Sequence, residues 1–235
     1  MARTDRLLDL LFVRGTVLDV SPAAGRMRAV RAGGVPGLAW RPGQQVRLHV
    51  NDLFAARSLL RPGDILRTYS VWDYDGDVLE LRILDHGDGP GARWSREVKA
   101  GDPVVFGKPE GNFVVREADH HLFVGEETAS VAFGAMMRGL ANARAVLEVP
   151  DEDSRLPLEG DVTWLCRGEG SAHASENLVK AVAALDLPAT GVVAYLAGEA
   201  KTCQAVKRHL ITDRGWDRRS IQVKPFWTPG KRGME

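Results

Sequence analysis

From Val13 to Phe113 the apolar positions come in short alternating runs separated by turn residues. "VRGTVLDV" (13–20) and "RMRAVRAG" (26–33) flank the turn "SPAAG", and "QQVRLHV" (44–50) follows "RPG". "ILRTYSVWDY" (65–74) and "DVLELRIL" (77–84) are joined through Asp75-Gly76, a strong hairpin signal. "DPVVFGKPEGNFVV" (102–115) completes the set, and the one helical pattern in this half is "ARWSREV" (92–98). Many strands with a single helix predict a small antiparallel β-barrel. After about His120 the rhythm changes. "HLFVG" (121–125), "ARAVLEV" (143–149), "DVTWLCRG" (161–168), "GVVAYLAG" (191–198) and "SIQVKPFW" (220–227) read as strands. Between them lie helical patterns at Thr128–Leu140, "ASENLVKAVAAL" (174–185) and Glu199–Thr212, with Cys203, Val206 and Leu210 on one face of the last. Such alternation predicts a mostly parallel α/β sheet with helices on both sides and ligands at the carboxyl ends of its strands. The expected architecture is therefore an N-terminal small antiparallel β-barrel, residues 1–117, followed by a parallel α/β domain, residues 118–235.

Composition narrows the partners. The 235 residues are 44% hydrophobic and 26% charged, with formal net charge +0. Chains of this length bury roughly 70–75% of their unfolded surface, so the core needs no covalent staples. Charge balance argues against nucleic acid, which calls for a basic surplus. Two cysteines, Cys166 and Cys203, without C-x-x-C spacing exclude a disulfide framework and fit a reducing cytoplasm. The apolar run "LLDLLFV" carries Asp9 and is too short to span a membrane, and no small-residue cleavage site follows it. A cytoplasmic protein without a membrane span, monomeric or weakly dimeric, is expected.

The chemistry gathers in two stretches. If 65–74 is extended, Arg67, Tyr69 and Val71 face one way and Thr68, Ser70 and Trp72 the other. Arg67 can grip a phosphate bidentately, Tyr69 offers a flat surface to an aromatic ring, and Ser70 presents a hydroxyl at the strand edge. A ligand with both a diphosphate and a large heterocycle satisfies all three, and FAD is such a ligand. The alternative is a barrel strand with an exposed arginine and a core tyrosine. One hairpin later, "LDHGDGPGARWSREV" sets three glycines and a proline before a helix, where free amides and the positive helix end favour phosphate. His86 and Asp88 lack a third ligand at metal spacing, so no metal site is expected.

These stretches resemble the siderophore-interacting proteins, FAD-containing ferric-siderophore reductases of the ferredoxin-reductase-like group. The resemblance rests on "RTYS" (67–70), "HGDGPGARW" (86–94), "GEET" (125–128), "LAGEAKTCQAVKRHL" (196–210) and "FWTPGKRG" (226–233). It implies that Arg67, Tyr69 and Ser70, with Thr68 beside them, hold FAD in the first domain. It implies the same for Asp85, His86, Gly87, Asp88, Gly89, Pro90, Gly91, Ala92, Arg93 and Trp94, with Thr128 and Trp227 near the cofactor. The family often has serine at the place of Ala92, a lysine where Arg47 stands, and Gly-Tyr-Trp where this chain has Pro225-Phe226-Trp227. The missing hydroxyl at Ala92 would otherwise cap the helix or bind phosphate.

In the second half, "FVGEETAS" and "YLAGEAKT" share a strand-turn-helix pattern able to seat a dinucleotide diphosphate, although neither is a G-x-G-x-x-G fingerprint. The resemblance implies that Gly125, Glu127, Thr128, Ala197, Gly198 and Glu199 line an NADH or NADPH site. Glu148 and "DED" (151–153) disfavour a 2′-phosphate while Arg155 and Arg167 favour one, which leaves the choice open. Cys203 and Trp164 read as core, and His120-His121 as a domain junction. The expected activity is NAD(P)H-driven, FAD-dependent reduction of a ferric siderophore. The alternatives are a general flavin electron-transfer protein and a binding module without turnover. Anionic ferric chelates would dock on Arg47, Lys224, Lys231 and Arg232.

Overall fold

The computed structural model describes residues 12–50 and 66–231. Six strands form a closed antiparallel barrel: β1 (Phe12–Ala24), β2 (Met27–Gly33), β3 (Gln45–His49), β4 (Leu66–Tyr74), β5 (Leu79–Leu84) and β6 (Pro103–Gly107). Their order around the barrel is β1-β2-β5-β4-β3-β6. Period-two alternation closes it. On β5, Leu79, Leu81 and Ile83 are buried, whereas Glu80 and Arg82 lie on the other face and pair at 3.0 Å. Val46 and Leu48 of β3, Val71 of β4 and Phe106 of β6 join those three in one apolar cluster. Trp72 stays buried on the opposite strand face because the Arg82 guanidinium lies 3.5 Å from its ring centre.

The β4–β5 hairpin turns where its residue types require. The Asp75 carboxylate accepts from the amides of Asp77 (3.2 Å) and Val78 (2.8 Å), and Gly76 takes φ +101°. After β5 comes α1 (Pro90–Glu97), starting two residues before the expected helix, on a proline whose missing amide has no intrahelical partner to lose. Trp94 and Val98 pack it onto the barrel cluster.

The chain divides into two compact units, Met1–Val114 and Val115–Glu235. The second unit holds β7 (His120–Glu126), α2 (Glu127–Met137), β8 (Ala143–Val149), β9 (Asp161–Cys166), α3 (Glu176–Ala184), β10 (Val192–Glu199), α4 (Ala200–Thr212) and β11 (Ile221–Trp227). Its five strands are parallel, in the order β11-β10-β7-β8-β9. Leu122, Val124, Ala194 and Leu196 meet Leu178 and Val182 of α3 and Cys203, Val206 and Leu210 of α4, the face expected of the last helix. Phe123 stacks on Tyr195 at 4.6 Å and meets Phe133 of α2 edge-on at 5.2 Å. Helices thus cover both faces, which explains why central strands β7 and β10 are apolar almost throughout.

Two expectations are corrected. Trp164 is half-exposed rather than core, because β9 is an edge strand and "DVTWLC" carries the same apolar pattern as a central strand. Helix α2 ends at Met137 instead of Leu140, since Arg138 leaves the helical region with ψ 122°. Cys166 is an exposed and Cys203 a buried free thiol. Among the described residues, no helix is long and apolar enough to cross a membrane.

Candidate functional site

In the first unit the site is built around the start of α1. Its N-cap is Gly89, in extended conformation (φ −65°, ψ 156°), with no side-chain cap and no acidic residue in the first turn. The first helical amides therefore lack the partner that a capping side chain provides. A Cβ added at Gly87 or Gly89 would meet nothing within 4 Å, so this side of the turn is open. Gly91 is the reverse case: a Cβ there would lie 2.0 Å from Tyr69 Oη and 3.5 Å from Arg67 Cγ. The "RTYS" strand and the glycine turn, separated by a hairpin in sequence, thus meet at Gly91. Arg67 and Tyr69 pair across the ladder with Leu48 and Val46, both fully buried, so these two lie on the barrel-lining face of β4. Burial pushes the Tyr69 phenol up to about 12, against the Arg67 charge that pulls it down, and the hydroxyl stays protonated at neutral pH. Arg67, whose Nη1 donates to the Leu66 carbonyl at 2.6 Å, lies with an uncapped helix start and an open glycine turn, groups of the kind that a diphosphate takes, so these residues fit FAD.

Several expected cofactor residues have other partners. Arg96, which the sequence reading missed, holds the turn: its Nε donates to Asp85 at 2.9 Å, its Nη2 to the Gly87 carbonyl, and its Nη1 lies 3.8 Å from Asp88. Asp85 and Asp88 thus shape the turn through Arg96. Ala92 is the third helical residue and buried, so a hydroxyl there would not occupy the cap position, which is Gly89. Trp94 packs on the barrel cluster, while His86 and Arg93 are exposed and Thr68 and Ser70 half-exposed on β4. A groove of about 390 Å³ beside the turn is lined in part by Arg26, Arg28 and Arg96, of which the first two also escaped the sequence reading. Arg47 is engaged by Glu110 at 2.7 Å.

In the second unit the strand order reverses between β7 and β10, because the chain runs to β8 and β9 on one side before crossing to β10 and β11. Ligands of open α/β sheets sit at such a reversal, beyond the carboxyl ends. Both strands end there in Gly-Glu, and a helix follows each directly. Glu126 is buried. It accepts from the Thr128 amide at 3.0 Å, from the Thr128 hydroxyl, and from Trp227 Nε1 at 3.0 Å. Gly198, at φ +108°, lies under it: a Cβ there would fall 2.5 Å from Glu126 Oε1. Burial, and then the Glu127 charge, push the Glu126 carboxyl up to about 7, although the bonds from Thr128 and Trp227 oppose them.

Glu199 caps α4 in the same position with the opposite outcome. Its Oε2 accepts from the amides of Thr202 (2.8 Å) and Ala174 (3.1 Å), and its Oε1 lies 3.1 Å from His173 Nδ1. Burial works upward here too. The amides of Lys201, Thr202 and Ala174, with His173, outweigh it and bring the carboxyl down to about 2. At α3, Ser175 Oγ accepts from the Leu178 amide at 3.2 Å and donates to Glu148 at 2.7 Å. Glu127 holds Arg167 through two bonds of 2.5 Å, with both side chains less than a tenth exposed.

All three helix starts at this edge are therefore capped by their own side chains. In the turns "GEET" and "GEAKT", read from the sequence as able to seat a dinucleotide diphosphate, the Thr128 and Thr202 amides are taken by Glu126 and Glu199. Glu127 and Glu199 turn their carboxylates to Arg167 and to α4. Gly125 and Ala197 are enclosed, since a Cβ on Gly125 would lie 2.5 Å from both Ala129 Cβ and the Ala197 carbonyl. Thr128 and Trp227 are half-exposed. Lys224 is half-exposed on β11 and Lys231 exposed beyond it, while Arg232 lies outside the described residues. The sequence reading placed Glu126 only within "GEET" (125–128) and Arg167 only as a candidate for a 2′-phosphate, and it missed Ser175. An acidic residue at a helix start, as in "GEET", was the available signal for the first.

Comparison with known proteins matches both units. The profile of the siderophore-interacting protein family covers residues 118–230, and that of the siderophore-interacting FAD-binding domain covers residues 57–113. Ferric vibriobactin reductase ViuB of Vibrio cholerae serotype O1 is 28% identical over 178 residues, which make up 70% of this chain. The same match spans 65% of the length of that relative, just under two thirds. Among solved structures, a siderophore utilization protein from T. fusca superposes with a TM-score of 0.79 at 26% identity, over 95% of each chain. The siderophore-interacting protein SipS from Aeromonas hydrophila gives 0.78 at 25% identity, over 94% of this chain and 93% of that one.

Proposed function

The chain belongs to the siderophore-interacting protein family, and on that premise we propose that it is a flavoprotein reductase that takes electrons from NADH or NADPH and reduces ferric siderophores. The observation that carries this reading is the uncapped start of α1 beside Arg67 and Tyr69, in the unit matched by an FAD-binding domain. The ferric reductase name of the curated relative supports the same direction.

Bound at that turn, FAD would supply the chemistry that no side chain offers, acceptance of a hydride and its delivery as single electrons to ferric iron. The protein's own part is to bind and to orient. Arg67 and the first amides of α1 would hold the diphosphate, and Arg96 keeps the turn open by fixing Asp85 and the Gly87 carbonyl. Tyr69, protonated and packed against Gly91, sets how closely a ligand approaches the barrel. In the second unit, the reversal between β7 and β10 is the expected place of the nicotinamide donor, with Thr128 and Trp227 at its accessible edge. No nucleophile is needed. Cys203 is ill suited to be one, because burial pushes its thiol up to about 12. Anionic ferric chelates would be drawn to Lys224 and Lys231, whereas Arg47 is already partly neutralised by Glu110.

The test is the visible spectrum of purified protein, before and after anaerobic addition of each nucleotide and then of a ferric siderophore with a ferrous trap. The expected result is a flavin spectrum, bleaching by nucleotide, and recovery coupled to ferrous iron. A colourless protein that FAD does not reconstitute rejects the reading. Retained flavin that no nucleotide bleaches leaves a binding module.

A further inference from the structure

Taking the second unit as the nicotinamide site of the function proposed above, we infer that the donor is NADH, and that the ends of β8 and β9 turn away the 2′-phosphate of NADPH. In doubly wound sheets the adenosine ribose lies over the end of the second strand. There, roughly 20 residues past the first turn, an acidic side chain accepts the ribose hydroxyls or an arginine takes the 2′-phosphate. β8 is that second strand, and Glu148 stands next to its last residue. Glu148 is 1% exposed; its Oε1 accepts from Ser175 at 2.7 Å, while its Oε2 has no hydrogen-bond partner. A buried carboxylate oxygen without a donor is destabilising, and a ribose hydroxyl is a donor of the missing kind.

The positive charge that a 2′-phosphate needs is already engaged at this edge. Arg167, at the end of β9, is held by Glu127 through two bonds of 2.5 Å. Arg155 donates to Glu152 at 3.0 Å and lies 3.6 Å from Cys166 Sγ. The loop between the two strands adds the exposed carboxylates of Asp151, Glu152 and Asp153. A phosphate dianion bonding Arg167 would release Glu127, a buried carboxylate, without a partner. At the starts of α3 and α2 the Leu178 and Thr128 amides are already taken by Ser175 and Glu126. Lys201, exposed at the start of α4, follows β10, on the other side of the reversal from β8.

The test is calorimetric titration of the purified protein with NAD⁺ and NADP⁺, repeated with 5′-AMP and 2′,5′-ADP so that the readout is binding rather than turnover. NADP⁺ and 2′,5′-ADP are expected to bind at least about tenfold more weakly than their unphosphorylated counterparts, as like charge across an interface requires. The gap should narrow in high salt, where exposed carboxylates are screened. Glu152→Gln, on the exposed loop, frees Arg155 and is expected to reduce the gap at least about threefold without loss of flavin. Glu148→Gln is expected to weaken NAD⁺ severalfold; if it lowers the melting temperature, Glu152→Gln carries the test alone. Equal or tighter binding of NADP⁺ overturns this inference and leaves the donor site standing. Failure of all four ligands to bind overturns both.

Discussion

Helix α1 of the first unit and helices α2 and α4 of the second each begin beside a glycine-bearing turn, yet their positive ends are treated in opposite ways. α1 starts on Gly89 without a side-chain cap or an acidic residue in its first turn. α2 and α4 start on Glu126 and Glu199, whose carboxylates fold back onto the Thr128 and Thr202 amides. An uncapped start lowers the stability of the apoprotein and keeps its amides for an anion arriving from outside. A carboxylate cap stabilises the fold from within and, where it is ionised as at Glu199, opposes any further anion. One chain thus contains an anion-receptive helix start and an anion-saturated edge, which is why the two units should differ in the phosphate groups they admit.

The largest expected effect comes from breaking the saturated edge. Arg167→Ala leaves Glu127 buried without its counter-charge, and a loss of roughly 3–5 kcal/mol in chemical denaturation is expected. A loss below about 1 kcal/mol would show that water reaches the pair and that the edge is not dry.

Converting the first unit to the second unit's type is the next test. Gly89 has an extended backbone open to any side chain, so Gly89→Asp should build without strain. It is expected to raise apoprotein stability by a few tenths of a kcal/mol. By setting a carboxylate against the diphosphate, it should also weaken FAD binding by at least about a hundredfold in fluorescence titration. Unchanged FAD affinity would remove α1 from the cofactor site. Arg67→Ala should weaken FAD by about 10–100-fold, the range of a charge-assisted bond, with an intact apoprotein melt.

The two glutamate caps themselves separate by pH. Glu126 has its carboxyl raised to about 7 from an ordinary 4.5, so the stability it contributes is complete below about 4.5 and is lost as pH rises through about 7. Glu199, lowered to about 2, contributes stability above about 4.5 that is lost as pH falls towards 2. Unfolding free energy should therefore decline between pH 5 and 8 by an amount on the order of 2 kcal/mol from Glu126. Glu126→Gln should flatten that decline. A profile that the substitution leaves unchanged would assign the pH dependence to other groups.

Much of this was legible along the chain. Asp75-Gly76 marked the hairpin, and the alternation of "LELRIL" gave β5 its barrel-lining face, because turn chemistry and period two are local properties. "RTYS" and the glycine-proline turn stood out along the chain, and their meeting at Gly91 needed only a hairpin between them. Trp164 was misread because the apolar pattern of an edge strand does not say how many neighbours it will have. The tie from Arg96 to Asp85 and Gly87 depends on how the turn closes, which no spacing reveals.

"GEET" and "GEAKT" show most clearly where sequence stops. Each declares, from its own residues, a strand ending in glycine and a helix beginning on glutamate. Whether that glutamate is pushed up to about 7 or down to about 2 depends on what folding brings to it. Glu126 receives a second carboxylate from Glu127 and an indole donor from Trp227, a residue from the last strand of the sheet. Glu199 instead receives the Ala174 amide and His173 from the loop before α3. Local sequence determines which group caps each helix. Only tertiary packing decides the charge it carries, because electrostatic energy in a dry interior is set by the neighbours within a few ångströms, wherever in the chain they originate.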